Sequence, residues 1–386
     1  MTEHRVPARQ AGVRSHNVAL VLWSVVRATG SRADVAARTG LTKAAVSSMV
    51  DELIERRLLV EDSPMSNGRG RPSKLLRLHP MAPVAIGVEL NVDYVAAVRT
   101  DLAGRELATH RIELDDRRLA RADLIRYLVV AWRAVRPAAP VTVLGTGVAL
   151  PGIVGRDGTV WRAPNLPSLS GVNVANSVAT ALRIPKRSVI VDNEANLAAL
   201  AELHAPDAER DFVYVSGEIG VGAGIVIGGE LFRGAAGLAG ELGHVSIAAE
   251  GRTCGCGGCG CVEQYAGQDA LLAASGCPTV EALVEAVRAG RPAATRTVAH
   301  AGAALGTALA GMLNIVDVPT VVLGGVYARV FEAIGPAVEA ELQRRVLAAD
   351  ARRPTVRASR TGADAAVQGA AASVVQRGLA VGSMLF

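Results

Sequence analysis

Apolar positions in the first eighty residues recur at helical spacing. Val18, Leu22, Val25 and Val26 mark one face of a first helix. Ser31 is a good N-cap for a second helix, and Asp34, three residues on, complements the positive helix end. That helix runs through Val35 and Ala36 to Gly40, and Gly40-Leu41 makes a tight turn. Thr42 then caps a third helix with apolar positions Val46, Met49, Val50, Leu53 and Ile54, a stripe one face wide. Residues 58–60 and 74–78 read as strands around the tip SNGRGRPS, Ser66 to Ser73. Three helices and two strands around such a tip predict a winged helix-turn-helix over residues 1–80.

From residue 81 the period changes. Stretches 84–90, 94–100 and 105–114 read as three consecutive strands, followed by a helix at about 119–135 and a strand at 141–150. The order returns later, with strands at 212–215, 223–227 and 230–232, then helices, then a strand at 320–323. Strands first, then alternating helices and strands, twice over, predict two α/β lobes with a cleft between them. A helix at about 293–316 is long and Ala-rich enough for close packing, against its own lobe or a partner.

Charge sharpens the picture. The chain of 386 residues carries a net +5. Residues 1–80 hold 13 Lys/Arg and 7 Asp/Glu, so the excess positive charge sits in the first fifth of the chain. A basic head on a near-neutral body suits nucleic acid, although a solvated basic surface gives the same count. The leading end of the third helix offers Thr42, Lys43, Ala44, Ser47 and Ser48: small or hydrogen-bonding residues with one cation, suited to a major groove. Ser31 and Arg32 at the start of the second helix are further candidate DNA contacts. Arg69 and Arg71 at the tip can reach phosphates or a minor groove.

Aromatics make up only 3% of the chain, so Ala, Val and Leu must build the core. No apolar run reads as a membrane span, and the polar start MTEHRVPARQ lacks the apolar stretch of a signal peptide, so a cytoplasmic protein is expected. Four of the five cysteines crowd between Cys254 and Cys261. His244, Cys254, Cys256 and Cys261 give three thiolates and one imidazole, the donor set of a closed structural zinc site. Glycines at 255, 257, 258 and 260 let the backbone wrap an ion closely, and Cys259 is a spare thiol.

The stretch ELGH, Glu241 to His244, followed by CGCGGCGCVE, Cys254 to Glu263, resembles the ROK family of repressors and sugar kinases. The wing sequence GRGRPS, the loop PGIV, Pro164-Asn165-Leu166 and VDNEANLAALAE follow in the family's order, so the likeness covers the whole chain. It implies an actin-like, two-lobed sugar-kinase-type fold (α/β) behind the winged head, with a structural zinc site. Lobe one is then about 81–192 plus a C-terminal helix at about 364–386, and lobe two about 193–363. The resemblance implies a hexose pocket with Asn165, Asn193, Glu194, Glu241, His244 and Glu263 as sugar ligands. Carboxylates and amides suit vicinal hydroxyls, and each unmatched buried group penalises the wrong epimer. His244 would share one ring nitrogen with zinc and offer the other to the sugar.

The chain departs from the family's kinases at both phosphate loops. Where kinases have Asp-x-Gly-Gly-Thr, it has Glu89-Leu90-Asn91-Val92-Asp93, and where they have Gly-Thr-Gly it has Gly217-Glu218-Ile219-Gly220. Glu194 stands where kinases have their catalytic Asp. No ATP binding and no enzymatic activity are therefore expected. The expectation is a sugar-responsive repressor, a homodimer or tetramer on double-stranded operator DNA. An ATP-dependent hexose kinase with a DNA-binding appendage is the alternative.

Overall fold

The computed structural model describes residues 10–62, 74–114, 119–205 and 207–381. The tip arginines Arg69 and Arg71 lie outside them. The head consists of α1 (Gln10–Arg27), α2 (Arg32–Thr39), α3 (Lys43–Glu55), β1 (Leu59–Glu61) and β2 (Leu76–Leu78). Ser31 and Asp34 close a reciprocal cap on α2: Asp34 N–H donates to Ser31 Oγ (3.3 Å) and Ser31 N–H to Asp34 Oδ2 (2.8 Å). Gly40 ends the helix at φ 72°, a left-handed position that costs glycine nothing. Thr42 caps α3 by accepting from Ala45 N–H. The predicted stripe on α3 is buried at Val46, Met49, Val50 and Leu53, facing Val18, Val21, Leu22 and Val25 of α1. β1 and β2 pair antiparallel, Leu59 opposite Leu78; β1 is shifted by one residue from the expected 58–60, and β2 is shorter than the expected 74–78.

The body follows as β3 (Val84–Leu90), β4 (Tyr94–Thr100), β5 (Glu106–Glu113), α4 (Arg121–Val135), β6 (Val143–Leu150), β7 (Ile153–Val154), β8 (Val160–Arg162), α5 (Val174–Leu182), β9 (Val189–Asn193) and α6 (Glu194–His204). The second half is β10 (Phe212–Gly217), β11 (Val221–Ile227), β12 (Glu230–Phe232), α7 (Glu263–Ala266), α8 (Gln268–Ser275), α9 (Val280–Arg288), α10 (Pro292–Val316), β13 (Thr320–Gly325), α11 (Val326–Arg329), α12 (Phe331–Arg345), β14 (Thr355–Ala358) and α13 (Ala365–Val381). One five-stranded sheet runs β5-β4-β3-β6-β9, the other β12-β11-β10-β13-β14. In each, the first three strands are antiparallel and the last two join parallel, so the repeat read in the sequence is a repeat of topology.

Two helices tie these layers together. α13 returns to the first sheet and also packs on α6. Gly147 of β6 makes the approach possible, since a Cβ there would strike the Ala370 carbonyl of α13. The far side of α13 and the first sheet belong to the same apolar cluster as the head: Val367, Ala371 and Val374 join Leu22, Val50 and Leu76. The head is therefore packed on the body through shared core.

α10 answers a question the sequence left open, whether this helix packs on its own lobe or on a partner. Its 25 residues are long and apolar enough, by length and composition, to cross a membrane. Half of its most apolar window is buried, and it lies on α12 within its own lobe, where Gly302 meets the Ile334 carbonyl. This also settles where its Ala-rich face goes.

Candidate functional site

The short turn Leu242–His244 delivers His244 to a glycine-rich loop that carries the cysteines. The donor atoms of His244, Cys254, Cys256 and Cys261 all lie within 4.8 Å of one another. Cys256 Sγ is 3.6 Å from Cys261 Sγ, and Cys254 Sγ is 3.8 Å from His244 Nδ1. A tetrahedral ion with bonds of about 2.3 Å separates its ligands by about 3.8 Å, so the four donors fit a metal ion. Gly258 N–H donates to Cys256 Sγ at 3.4 Å. This N–H holds the Cys256 thiol below its ordinary range, whereas burial pushes Cys261 up to about 12. Cys259 stands outside the set, exposed, with its thiol on the Ala249 carbonyl.

Beside this cluster opens a cleft. Asn165, Asn193, Glu194, Glu241, His244 and Glu263, scattered over a hundred residues of sequence, all line it. His244 turns Nδ1 to the cysteines, which leaves Nε2 for the cavity. Glu263 opens α7, and its carboxylate accepts from Val221 N–H. Glu194 opens α6. That helix comes close because Gly222 of β11 has no Cβ; one there would lie 2.9 Å from Ala195 Cβ and 3.2 Å from Glu194 Oε1.

Asn193 has a narrower part than the sequence suggests. Its Oδ1 caps α6 at Ala195 N–H and Asn196 N–H, and its Nδ2 donates to the Gly152 carbonyl and to Glu194 Oε2. Both amide hydrogens have partners, so Asn193 orients Glu194 and closes the helix end. Next to it, buried Asp192 accepts from Asn196 and pairs with Arg233 at 2.7 Å.

Carboxylates dominate the cleft electrostatically. Burial, reinforced by neighbouring carboxylates, pushes Glu194 up to about 8 and Glu218 up to about 7. Behind them, Glu89 is fully enclosed and pushed up to about 8 by burial, although Tyr94 donates its hydroxyl at 2.9 Å. The β3–β4 turn closes on itself: Asn91 N–H donates to the Tyr94 carbonyl and Val92 N–H to Asn91 Oδ1.

Several residues of the site escaped the sequence reading. Arg162 of β8 spans the cleft and donates to the Gly255 and Cys256 carbonyls of the metal loop, each at 3.2 Å. Outside the lining residues, Arg156 donates to the Gly234 carbonyl. Their signal is only a lone arginine in a loop.

On the head, Thr42, Lys43, Ala44 and Ser48 are exposed at the start of α3, with Ser47 half-buried beside them. Arg32 is corrected. Its guanidinium donates to Glu61 (2.7 Å), pairs with Asp51 (2.7 Å) and donates to the Ser47 carbonyl (3.1 Å). It pins α2, α3 and β1 together, so its charge is already answered within the head. Ser31 is likewise engaged as the α2 cap.

A family model described as the ROK family matches residues 85–377, and the chain belongs to that family. Its fold is the actin-like ROK sugar-kinase type. Over 249 residues, 63% of the chain, it is 37% identical to the xylose repressor of Caldicellulosiruptor bescii. That match spans 61% of the relative's own length. The structure is similar to a ROK family transcriptional regulator described as a homologue of the Escherichia coli MLC protein, with TM-score 0.76 and 24% identity, over 97% of this chain and 98% of the other. It is also similar to a ROK family glucokinase from Streptomyces griseus in complex with glucose and AMPPNP, with TM-score 0.68 and 26% identity, over 76% of this chain and 99% of that one.

Proposed function

We propose that this protein is a sugar-responsive transcriptional repressor that acts in the cytoplasm. The observation that carries the proposal is that six polar residues named from sequence line one cleft. One wall of that cleft is the first turn of a helix whose last residue touches the head. The head is a winged helix-turn-helix in this reading. α3 enters the major groove with Thr42, Lys43, Ala44, Ser47 and Ser48, and the Arg69–Arg71 tip lies along the backbone or in the minor groove. Two heads of a homodimer or tetramer meet a two-fold operator. The likeness to a ROK transcriptional regulator over 97% of the chain and the identity to a xylose repressor support it.

Asn165, Glu194, Glu241, His244 and Glu263 hold the sugar hydroxyls, and Asn193 positions Glu194. Zinc fits the Cys3His donor set and supplies a structural cross-link. The residues that hold it are His244, Cys254, Cys256 and Cys261, so loop order and the His244 ring orientation depend on one another. A sugar that binds one arrangement of lobes better than another shifts the head, and operator affinity changes by that difference alone.

The same geometry disfavours a kinase. The amides of the first phosphate loop bond within the protein, and Glu89 and Glu218 would face the nucleotide's charge. One observation favours that second reading: Glu194 keeps a carboxylate at the cleft wall, where it is able to accept a proton. Two assays separate them. Operator binding that responds to a sugar supports the repressor, whereas steady ADP release over a hexose panel supports the kinase.

A further inference from the structure

We propose that the cleft is built for an unphosphorylated sugar, and that Glu218 is the specificity residue that turns phosphate esters away. The inference rests on the effector reading above and deepens it. Four carboxylates line the cleft: Glu194, Glu218, Glu241 and Glu263. The cationic side chains on the same walls are committed. Arg162 is held on the carbonyls of the metal loop, and His244 turns its Nδ1 to Cys254. A phosphate dianion would meet four carboxylates against one guanidinium, Arg162, whose two terminal nitrogens are already held on carbonyls.

The amides of the β3–β4 turn and of Val221 offer no substitute. A phosphate needs a cradle of free N–H groups. The N–H groups of Asn91 and Val92 bond within their own turn, and Val221 N–H donates to Glu263. Each therefore faces an acceptor of the protein's own.

Glu218 lies in the turn between β10 and β11, directly after Gly217, which pairs with Gly325 of β13. Gly325 has φ 55°, and a Cβ on it would come within 2.7 Å of Glu218 Oε1, so the carboxylate lies beside the end of the neighbouring strand. Its positive neighbours are Arg111 and Arg329, paired with Glu113 and Glu281, and Asp93 opposes it. Burial pushes Glu218 up to about 7, so at pH 8 the ionised form prevails.

The test is calorimetric titration of the full-length, zinc-loaded protein at pH 8 and fixed salt. The probes are D-xylose, D-glucose and N-acetyl-D-glucosamine, each paired with its terminal phosphate ester. At least one free sugar binds, and its ester binds at least about tenfold more weakly, the factor expected when like charges oppose in a half-buried cleft. Glu218→Gln narrows the ratio of ester to sugar dissociation constants several-fold, and Glu218→Asp keeps it wide. An ester that binds the wild type as tightly as its sugar overturns the proposal, as does an unchanged ratio in Glu218→Gln. Binding of neither sugar nor ester by the wild type overturns the effector reading itself, a failure distinct from the other two.

Discussion

His204 ends α6 with its ring edge-on to Trp23 of α1, centroids 5.8 Å apart and planes at 76°. Arg27 lies over the Trp23 ring at 5.1 Å, and His204 Nδ1 bonds to the Leu200 carbonyl one turn back. α6 begins with Glu194, so a single helix of 11 residues joins the cleft to the head. In its last turn, Glu202 is fully buried, salt-bridged to Arg357 of β14 at 2.7 Å and bonded to Ser359. The helix is gripped by elements of both lobes.

His204→Ala is therefore expected to uncouple the two sites. Sugar affinity stays within about threefold of wild type, while the sugar-induced change in operator affinity, about 5- to 150-fold for ordinary allosteric coupling, falls most of the way to unity. Calorimetry and operator titration on the same preparation check both halves. A variant that still responds fully to sugar would remove α6 from the route.

Removal of the metal is expected to loosen the cleft as well as the cysteine loop. Chelation or Cys261→Ser should lower the melting temperature by several degrees, about 2–4 °C for each kcal/mol in a chain of this size, and should abolish sugar binding through His244. Metal analysis by mass spectrometry is expected to find one zinc per chain before chelation.

The pH dependence of stability follows from the enclosed carboxylates. Glu89 and Glu194 titrate near 8 and Glu218 near 7 in the folded protein, all above the ordinary carboxylate range. The folded state then holds more protons than the unfolded one, and the stability these groups confer is lost as pH rises through their folded values. His204, lowered by burial, begins to oppose this below about pH 6.5. Between about pH 6.5 and 8 the sugar-free protein should melt at a higher temperature as pH falls. Glu194→Gln with Glu218→Gln should flatten that slope, as read by calorimetry in each buffer.

The two cations of the head are expected to behave differently. Lys43→Ala should weaken operator binding and reduce the salt slope by about one, as a phosphate contact does. Arg32→Ala should instead destabilise the head, leaving Glu61 and Asp51 without their partner, at a cost of about 1–3 kcal/mol before allowance for its partial exposure. Circular dichroism melts and fluorescence anisotropy at several salt concentrations separate the two.

Much of this was legible in the chain wherever the signal is local. The period on α3, the three-strand openings of both lobes and the Cys-x-Cys spacing each repeat over a few residues, and all correspond to observed elements. What escaped is long-range. Nothing near Arg32 says that Glu61 and Asp51 wait for it, and nothing near Arg162 announces a carbonyl 94 residues away. Asn193 reads as a ligand because its cap and its bond to Gly152 exist only after folding. The packing of α10 stays open in the sequence for the same reason, since burial against α12 is a property of the lobe.

The central claim is tested most directly by titrating the purified protein into labelled DNA from upstream of its own gene, at fixed salt, with and without D-xylose, D-glucose and N-acetyl-D-glucosamine. The expected result is specific binding whose affinity changes at least fivefold with one unphosphorylated sugar, a coupling of about 1 kcal/mol. Specific binding indifferent to every sugar, or no specific binding at all beside steady ADP release, would contradict it.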